Sequence, residues 1–309
     1  MKVLITPRSY GKTDPVVFDM LKDAGFEIIC NNTGGILKKE QMMEMLRDCE
    51  GIIVGVDPLD ADVIASAPKL LAISKYGVGV DNIDLAAAEK RGIKVSRTIG
   101  ANSDAVADYA FTLMLGLARK VLPIDAACRR GDWKKITTLD LNHKTIGIFG
   151  LGAIGKLVAK RAQGFDMRIL AYDVFWDERY AAEHQIEKSD PDRIFQEADF
   201  ISLHLPLTPE TENFIGQREL SLMKPTAILV NTARGGLIQD DALLNALKEN
   251  RIYGAGIDAF SEEPPADPSW FALDNVIIGS HCAASTSGAI QNMGRAATEN
   301  LIRDLSQNH

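Results

Sequence analysis

Residues 145–173, "TIGIFGLGAIGKLVAKRAQGFDMRILAYD", decide the fold of this 309-residue chain. A short apolar run ends at Phe149, and Gly150, Gly152 and Gly155 follow in GxGxxG spacing as an amphipathic segment opens. A second apolar run, "RILAY", then ends on Asp173, eighteen residues beyond Gly155. A lone GxGxxG is a weak signal, but strand, glycine turn, helix, strand and terminal acid together describe a dinucleotide-binding βαβ unit. The glycines allow a tight turn and bring backbone N–H groups to a pyrophosphate at the helix N-terminus, while the acid hydrogen-bonds the adenosine ribose. Asp173 also repels a 2′-phosphate, and no arginine occurs over 174–178, so NAD is expected rather than NADP.

The alternation continues on both sides. Downstream come "FISLHL", "AILVNT", "IYGAGIDAF" and "VIIGSH"; upstream, "KVLIT", "FEIIC", "GIIVG", "LLAIS" and "IKVS" alternate with amphipathic segments near 15–24, 39–48, 60–66 and 84–91. Strict strand–helix alternation with short links predicts parallel sheets covered on both faces, and two series of it predict two doubly wound α/β domains. Between them, a helix over about 103–120 is apolar around most of its circumference. Such a helix is buried on several sides, and a domain or subunit interface is the reading preferred here over an intradomain core, with a homodimer expected. A further amphipathic helix over 287–305 is expected to return to the first domain.

Composition narrows the function classes. The chain is 46% apolar and 25% charged with a mean hydropathy of −0.04, as expected of a globular protein. A net charge of −8 and a pI near 5.2 argue against a nucleic-acid partner or an anionic membrane. No stretch approaches the ~18 apolar residues of a membrane span. The start "MKVLITPRSY" lacks the apolar core of a secretory signal, and four cysteines without CxxC spacing suit a reducing cytoplasm. No cluster has metal-ligand spacing.

Three residues stand at the ends of successive predicted strands: Arg234 after "ILVNTA", Glu263 in "DAFSEEPP" and His281 in "VIIGSHCAAS". Parallel strands deliver such ends to one edge of the sheet, where open α/β folds bind ligands. Hydride transfer from a hydroxyl needs a base for its proton, and histidine is poised near neutral pH. A carboxylate beside it favours the imidazolium, and a guanidinium grips a carboxylate in bidentate fashion. Gly235 and Gly236 are expected to leave room for close backbone packing beside the arginine.

With these motifs, and with "YGVGVDNID" and "LHLPLTPET" in order between and before them, nearly the whole sequence resembles the D-isomer-specific 2-hydroxyacid dehydrogenases. The resemblance implies a central Rossmann NAD domain, 100–285, and a flavodoxin-like substrate domain, 1–99 completed by 286–309. It implies that Arg234 holds the substrate carboxylate and carbonyl, that His281 is the acid/base and that Glu263, placed just before proline, rather than Glu262, is its partner. Asp258 would bind the nicotinamide carboxamide, with Thr232, Pro206, Ala153 and Ile154 lining the cofactor. The implied substrate is a small 2-hydroxy or 2-oxo acid of the 3-phosphoglycerate, hydroxypyruvate or glyoxylate type. An NAD-sensing corepressor-like binding protein and a formate or phosphite dehydrogenase are the alternatives on this scaffold. The end at His309 leads to the expectation that no regulatory domain of the kind attached to some phosphoglycerate dehydrogenases is present.

In "KYGVGVDN", Tyr76, Gly77, Val78 and Gly79 are candidate substrate ligands, the glycines letting consecutive N–H groups face a carboxylate across a cleft that closes on the substrate. Lys75 stands where phosphoglycerate-specific relatives often have arginine, and Lys134 and Lys135 where they carry a basic patch; these lysines either meet a distal phosphate or are solvated. His204 either orients the cofactor loop or is structural, and His143, His184 and His309 read as surface residues. Cys282 reads as a small packing residue. With Ala283 it replaces the isoleucine-glycine common after the histidine in this family.

Overall fold

The computed structural model describes residues 1–307. Two compact units form, one from Met1–Asn102 together with the segment from Ser285, the other from Ser103–Ala284. The first unit runs β1 (Lys2–Ile5), α1 (Val16–Asp23), β2 (Glu27–Cys30), α2 (Lys39–Leu46), β3 (Gly51–Val54), α3 (Ala61–Ser66), β4 (Ala72–Lys75), α4 (Leu85–Lys90) and β5 (Lys94–Arg97). Its five strands are all parallel in the order β2-β1-β3-β4-β5, the flavodoxin-like doubly wound arrangement. Helix starts are fixed by acids: Asp60 accepts from the Val63 N–H at 3.0 Å and Asp84 from the Ala87 N–H at 2.8 Å.

The second unit runs α5 (Ser103–Ala118), α6 (Val121–Arg129), β6 (Thr145–Phe149), α7 (Ala153–Gln163), β7 (Arg168–Tyr172), α8 (Glu178–Glu183), β8 (Ile186–Lys188) and α9 (Pro191–Glu197). It continues through β9 (Phe200–Leu203), α10 (Gln217–Leu222), β10 (Ile228–Asn231), α11 (Asp240–Lys248), β11 (Gly254–Ile257) and β12 (Val276–Ile278). Seven parallel strands lie in the order β12-β11-β10-β9-β6-β7-β8, so the winding reverses between β6 and β9. Ligands bind at such a switch point, beyond the carboxyl ends of the strands. The edge strand β8 carries no apolar alternation and escapes a reading by pattern; a short, charged edge strand resists edge-to-edge pairing.

The helix expected over 103–120 ends at Ala118, and Lys120 takes a left-handed conformation (φ 49°) before α6 begins. Its apolar circumference is filled within one chain. Ala107, Ala110, Phe111, Leu113, Met114 and Leu117 are buried in a core that α5 shares with α7 and the sheet. A helix held between a sheet and a second helix needs apolar residues on both sides, so most of the pattern is accounted for within the domain.

The last helix, α12 (Ser287–Ser306), completes the first unit. Leu301 and Leu305 are fully buried against that unit's sheet, and Ser74 Oγ donates to the Ala297 carbonyl at 2.8 Å. Tyr10 and Thr298 share a hydroxyl hydrogen bond, and the Arg295 guanidinium donates to Asp14 at 2.5 Å. That hydrogen bond holds the Asp14 carboxyl below its ordinary pKa. A depressed folded pKa contributes stability above the unfolded value of about 3.9, and the contribution is lost as pH falls through the folded value. Arg295→Ala is therefore expected to lower Tm at pH 7, with the deficit from wild type shrinking below about pH 4, as measured by thermal unfolding across pH.

Candidate active site

At the end of β10, Asn231 ties the turn that carries Arg234. Its amide donates to the Arg234 carbonyl at 2.8 Å, and its Oδ1 accepts from the Ala233 N–H at 3.0 Å. The arginine Nη1 donates to the Ala233 carbonyl at 2.7 Å. The two glycines after the arginine do different work. A Cβ on Gly235 would lie 1.9 Å from the Phe260 carbonyl oxygen, so close backbone packing requires glycine there. Gly236 has ordinary surroundings but a φ of +79°, so it serves the turn rather than the packing.

The loop after β11 thus abuts the arginine turn, and three residues beyond Phe260 stands Glu263. Its carboxylate lies 3.0 and 3.1 Å from His281 Nδ1 and also accepts from the Phe260 N–H at 3.2 Å. Glu262 makes no hydrogen bond or ion pair among the described residues. Both partners are open to solvent, with 47% of the His281 and 40% of the Glu263 side chain exposed. With Nδ1 turned to the carboxylate, Nε2 is the nitrogen left to exchange a proton with a ligand. The ring is aimed by a backbone in the left-handed region (φ 56°). Behind it sits Asp258, which accepts from the Cys282 and Ala283 N–H groups, each at 2.9 Å.

On the other side of the switch point, α7 opens at Ala153 with Gly152 as its N-cap, without a side-chain cap. A Cβ on Gly155 would lie 1.9 Å from the Gly150 carbonyl oxygen, and one on Gly150 (φ +93°) 2.6 Å from that of His204. Around Gly152 there is open space. Asp173 closes the loop, accepting from the Leu151 N–H at 2.6 Å and the Phe175 N–H at 2.8 Å. Ile154 is half-buried and Pro206 exposed. His204 Nε2 lies 2.9 Å from Ser202 Oγ, while Nδ1 is buried without a partner, as is Thr232 Oγ1. Burial pulls the His204 pKa down to about 3, so this ring is neutral at working pH.

Comparison with known proteins agrees with this geometry. The model of the D-isomer specific 2-hydroxyacid dehydrogenase NAD binding domain matches residues 111–283. A glyoxylate reductase of Korarchaeum cryptofilum is 42% identical over 272 residues, spanning 85% of this chain and 82% of that protein. The chain belongs to the D-isomer-specific 2-hydroxyacid dehydrogenase family. A D-3-phosphoglycerate dehydrogenase of Methanocaldococcus jannaschii is 41% identical over 95% of this chain and 56% of its own length. The D-lactate dehydrogenase of Aquifex aeolicus, solved with NAD and lactic acid, superposes with a TM-score of 0.85 at 28% identity, covering 99% of this chain and 96% of that one.

This dehydrogenase is an NAD-dependent oxidoreductase of D-2-hydroxy acids. Its residues fit the cofactor: an uncapped helix N-terminus with open space before it suits a pyrophosphate, and the buried, partnerless Thr232 hydroxyl lies at the same sheet edge. Elsewhere the structure redirects several expectations. Lys75 is 6% exposed, its ammonium donating to the Gly55 carbonyl and to Asn82 Oδ1 at 2.8 Å. Lys134 and Lys135 are exposed. The Gly77 N–H donates to Thr98 Oγ1 at 2.9 Å, which leaves those of Val78 and Gly79 as the donors without a partner among the described residues. Cys282 packs with its thiol 3.4 Å from the Tyr109 hydroxyl. His143 is exposed, His184 is half-buried with its ring 4.1 Å from that of Tyr180, and His309 lies outside the described residues. Among the described residues no group of acids, histidines and cysteines could hold a metal ion, and no helix is long and apolar enough to cross a membrane. Sequence reasoning did not find the grip of Asp258 on residues 282 and 283 or the Tyr109 hydroxyl beside it; Gly279, two residues before the histidine, is the one signal of crowding there. Because Asp173 tethers the glycine loop and is the expected ribose ligand, Asp173→Ala is expected to weaken NAD and narrow its advantage over NADP. Steady-state kcat/KM with each cofactor measures this, and equal use of both by the wild type overturns the reading.

Proposed function

We propose that this dehydrogenase interconverts a small, unphosphorylated 2-oxo acid of the glyoxylate or hydroxypyruvate type and its D-2-hydroxy acid. The reaction class rests on one observation, the Glu263–His281 pair at the strand ends. The choice among substrates is supported by Lys75, whose buried ammonium already serves the Gly55 carbonyl and Asn82 rather than a distal phosphate, and by the glyoxylate reductase relative. The first unit is the proposed substrate domain and the second the NAD domain. The cofactor carries the hydride; the chain supplies everything else. In reduction, protonated His281 gives a proton from Nε2 to the substrate oxygen, and in oxidation the neutral ring takes it back. Glu263 fixes the tautomer by holding Nδ1. Arg234 clamps the carboxylate and the carbonyl, a planar fork matched to a planar ligand. Tyr76, Gly77, Val78 and Gly79 form the proposed second contact for the carboxylate, through the Val78 and Gly79 N–H groups. Oxidation of NADH with a panel of 2-oxo acids, phosphohydroxypyruvate included, tests the substrate class; preference for the phosphorylated acid would reverse it.

The roles divide kinetically. Arg234→Ala should raise KM sharply and lower kcat, with Lys a poor substitute. His281→Ala should act mainly on kcat, by ~10² to 10⁴-fold. Glu263→Gln keeps the shape but sets a neutral amide against Nδ1, so kcat should fall while KM changes little. Steady-state kinetics in both directions decide: if kcat is unchanged, Glu263 is not the partner.

A reducing cytoplasm fits the four unpaired cysteines. The proposed homodimer rests not on α5 but on an apolar surface beyond its end. Val121 and Leu122 on α6, and Trp133 and Ile136 past that helix, are exposed, Trp133 by 80%, and a chain left alone would present that apolar surface to water. Light scattering should give twice the 33.7 kDa chain mass, and Trp133→Asp should shift the protein toward monomer; a wild-type monomer at micromolar concentration would sink the proposal.

A further inference from the structure

We infer that Asn82 is a positioning residue: together with Lys75 it clamps the loop 76–81 to the loop after β3, and so sets the Val78 and Gly79 N–H groups for a substrate carboxylate. The inference rests on the carboxylate contact proposed above. Loop 76–81 follows β4 at the carboxyl edge of the first sheet, and backbone fixes its entry. The Tyr76 N–H donates to the Val54 carbonyl at 2.9 Å. The Gly77 N–H donates to Thr98 Oγ1 at 2.9 Å, while the Thr98 N–H donates to the Gly77 carbonyl at 3.0 Å. With a φ of +135°, this entry calls for glycine.

One side chain fixes the exit. Asn82 Nδ2 donates to the Asp57 carbonyl at 2.6 Å and to the Gly55 carbonyl at 3.2 Å, and its Oδ1 accepts from the Lys75 ammonium at 2.8 Å. Both amide hydrogens are thereby committed, and the reverse orientation would set an NH2 group against an ammonium. Lys75, the last residue of β4, donates to the same Gly55 carbonyl, so the residue before the loop and the residue after it converge on one oxygen. The far side of the clamp is itself held. Buried Asp57 accepts from Thr6 Oγ1 at 2.5 Å and from the Leu37 N–H at 2.8 Å. The Leu59 N–H donates to the Asn82 carbonyl at 2.8 Å, and the next residue, Ile83, is buried in the core beneath. Between these two fixed ends lie the Val78 and Gly79 N–H groups. A short loop pinned at both ends is ordered when the chain folds, so substrate binding does not have to order it.

The test separates clamping from mere stability. Asn82→Ala removes the bridge, whereas Lys75→Met removes one strut and leaves the amide its two carbonyls. A loop that touches only the carboxylate holds ground state and transition state alike, so its slackening acts on KM. With saturating NADH, KM for glyoxylate is expected to rise about tenfold in Asn82→Ala and about threefold in Lys75→Met, with kcat and the Kd for NADH within about twofold of wild type. A lowered Tm with KM unmoved in both variants makes the cluster structural and overturns the inference, as does a fall in kcat at unchanged KM. If Asn82→Ala loses its cooperative thermal transition, Lys75→Met decides alone. Gly77→Ala is the control, because it strains the loop through its backbone and leaves the groups of the clamp in place. If Gly77→Ala raises KM and the other two variants do not, only the clamp fails; if KM is unmoved in all three, the loop is not the carboxylate site and the reading beneath the inference fails with it.

Discussion

Parallel register is the constraint on which the rest of this molecule depends. Across the second sheet Tyr172, Phe149, Leu203, Asn231, Ile257 and Ile278 pair in one continuous row. The residues one step further along their chains are Asp173, Gly150, His204, Thr232, Asp258 and Gly279, and these include much of the proposed cofactor contact and the support of the histidine loop. The ladder carries on into that row, with the Gly150, His204, Asp258 and Gly279 N–H groups donating back to the carbonyls of their neighbours. Slipping any strand by one residue would exchange the side chains it sends into the two cores on either side of the sheet, so the packing that stabilises the sheet also fixes where the strand ends stand.

Within that row each polar group is handled by its own means. Burial strips the charge from His204, which then costs only an unmet hydrogen bond at Nδ1. Asp258, 1% exposed, is met instead by two backbone donors. Arg234 and His281 stand beyond the row, on loops, and the anionic substrate proposed for them has to be drawn in against a net charge of −8. The Glu263–His281 pair is exposed, as the proposed proton exchange between turnovers requires.

The sequence made the periodic and punctuated features legible, because those have a local signature. GxGxxG before a helix, Asp173 at a strand end and the alternating apolar runs are all written within a few residues of each other. What escaped was written across distance. The apolar circumference of α5 is the same string whether the second layer over it is α7 or another subunit, and only the folded chain says which. Lys75 looks like any cation at a strand end until Asn82 and the Gly55 carbonyl are seen to hold it. The strand β8 has three residues, with too little alternation to announce a period. Gly235 and Gly236 are identical letters with different duties, one steric and one conformational.

The same distinction bears on the pair Cys282–Ala283, which replaces the isoleucine-glycine common after the histidine. If the grip on the loop ran through side chains, two changes next to the proposed acid–base group would be expected to disturb it. It runs through the N–H groups of 282 and 283, which every residue but proline supplies. The side chains there need only fit: Ala283 is buried and small, and Cys282 fills the space under the Tyr109 hydroxyl. Gly279 has no such latitude, since any Cβ meets the carboxylate. A loop held by its backbone thus tolerates substitution at two of its positions while the direction of the imidazole stays fixed.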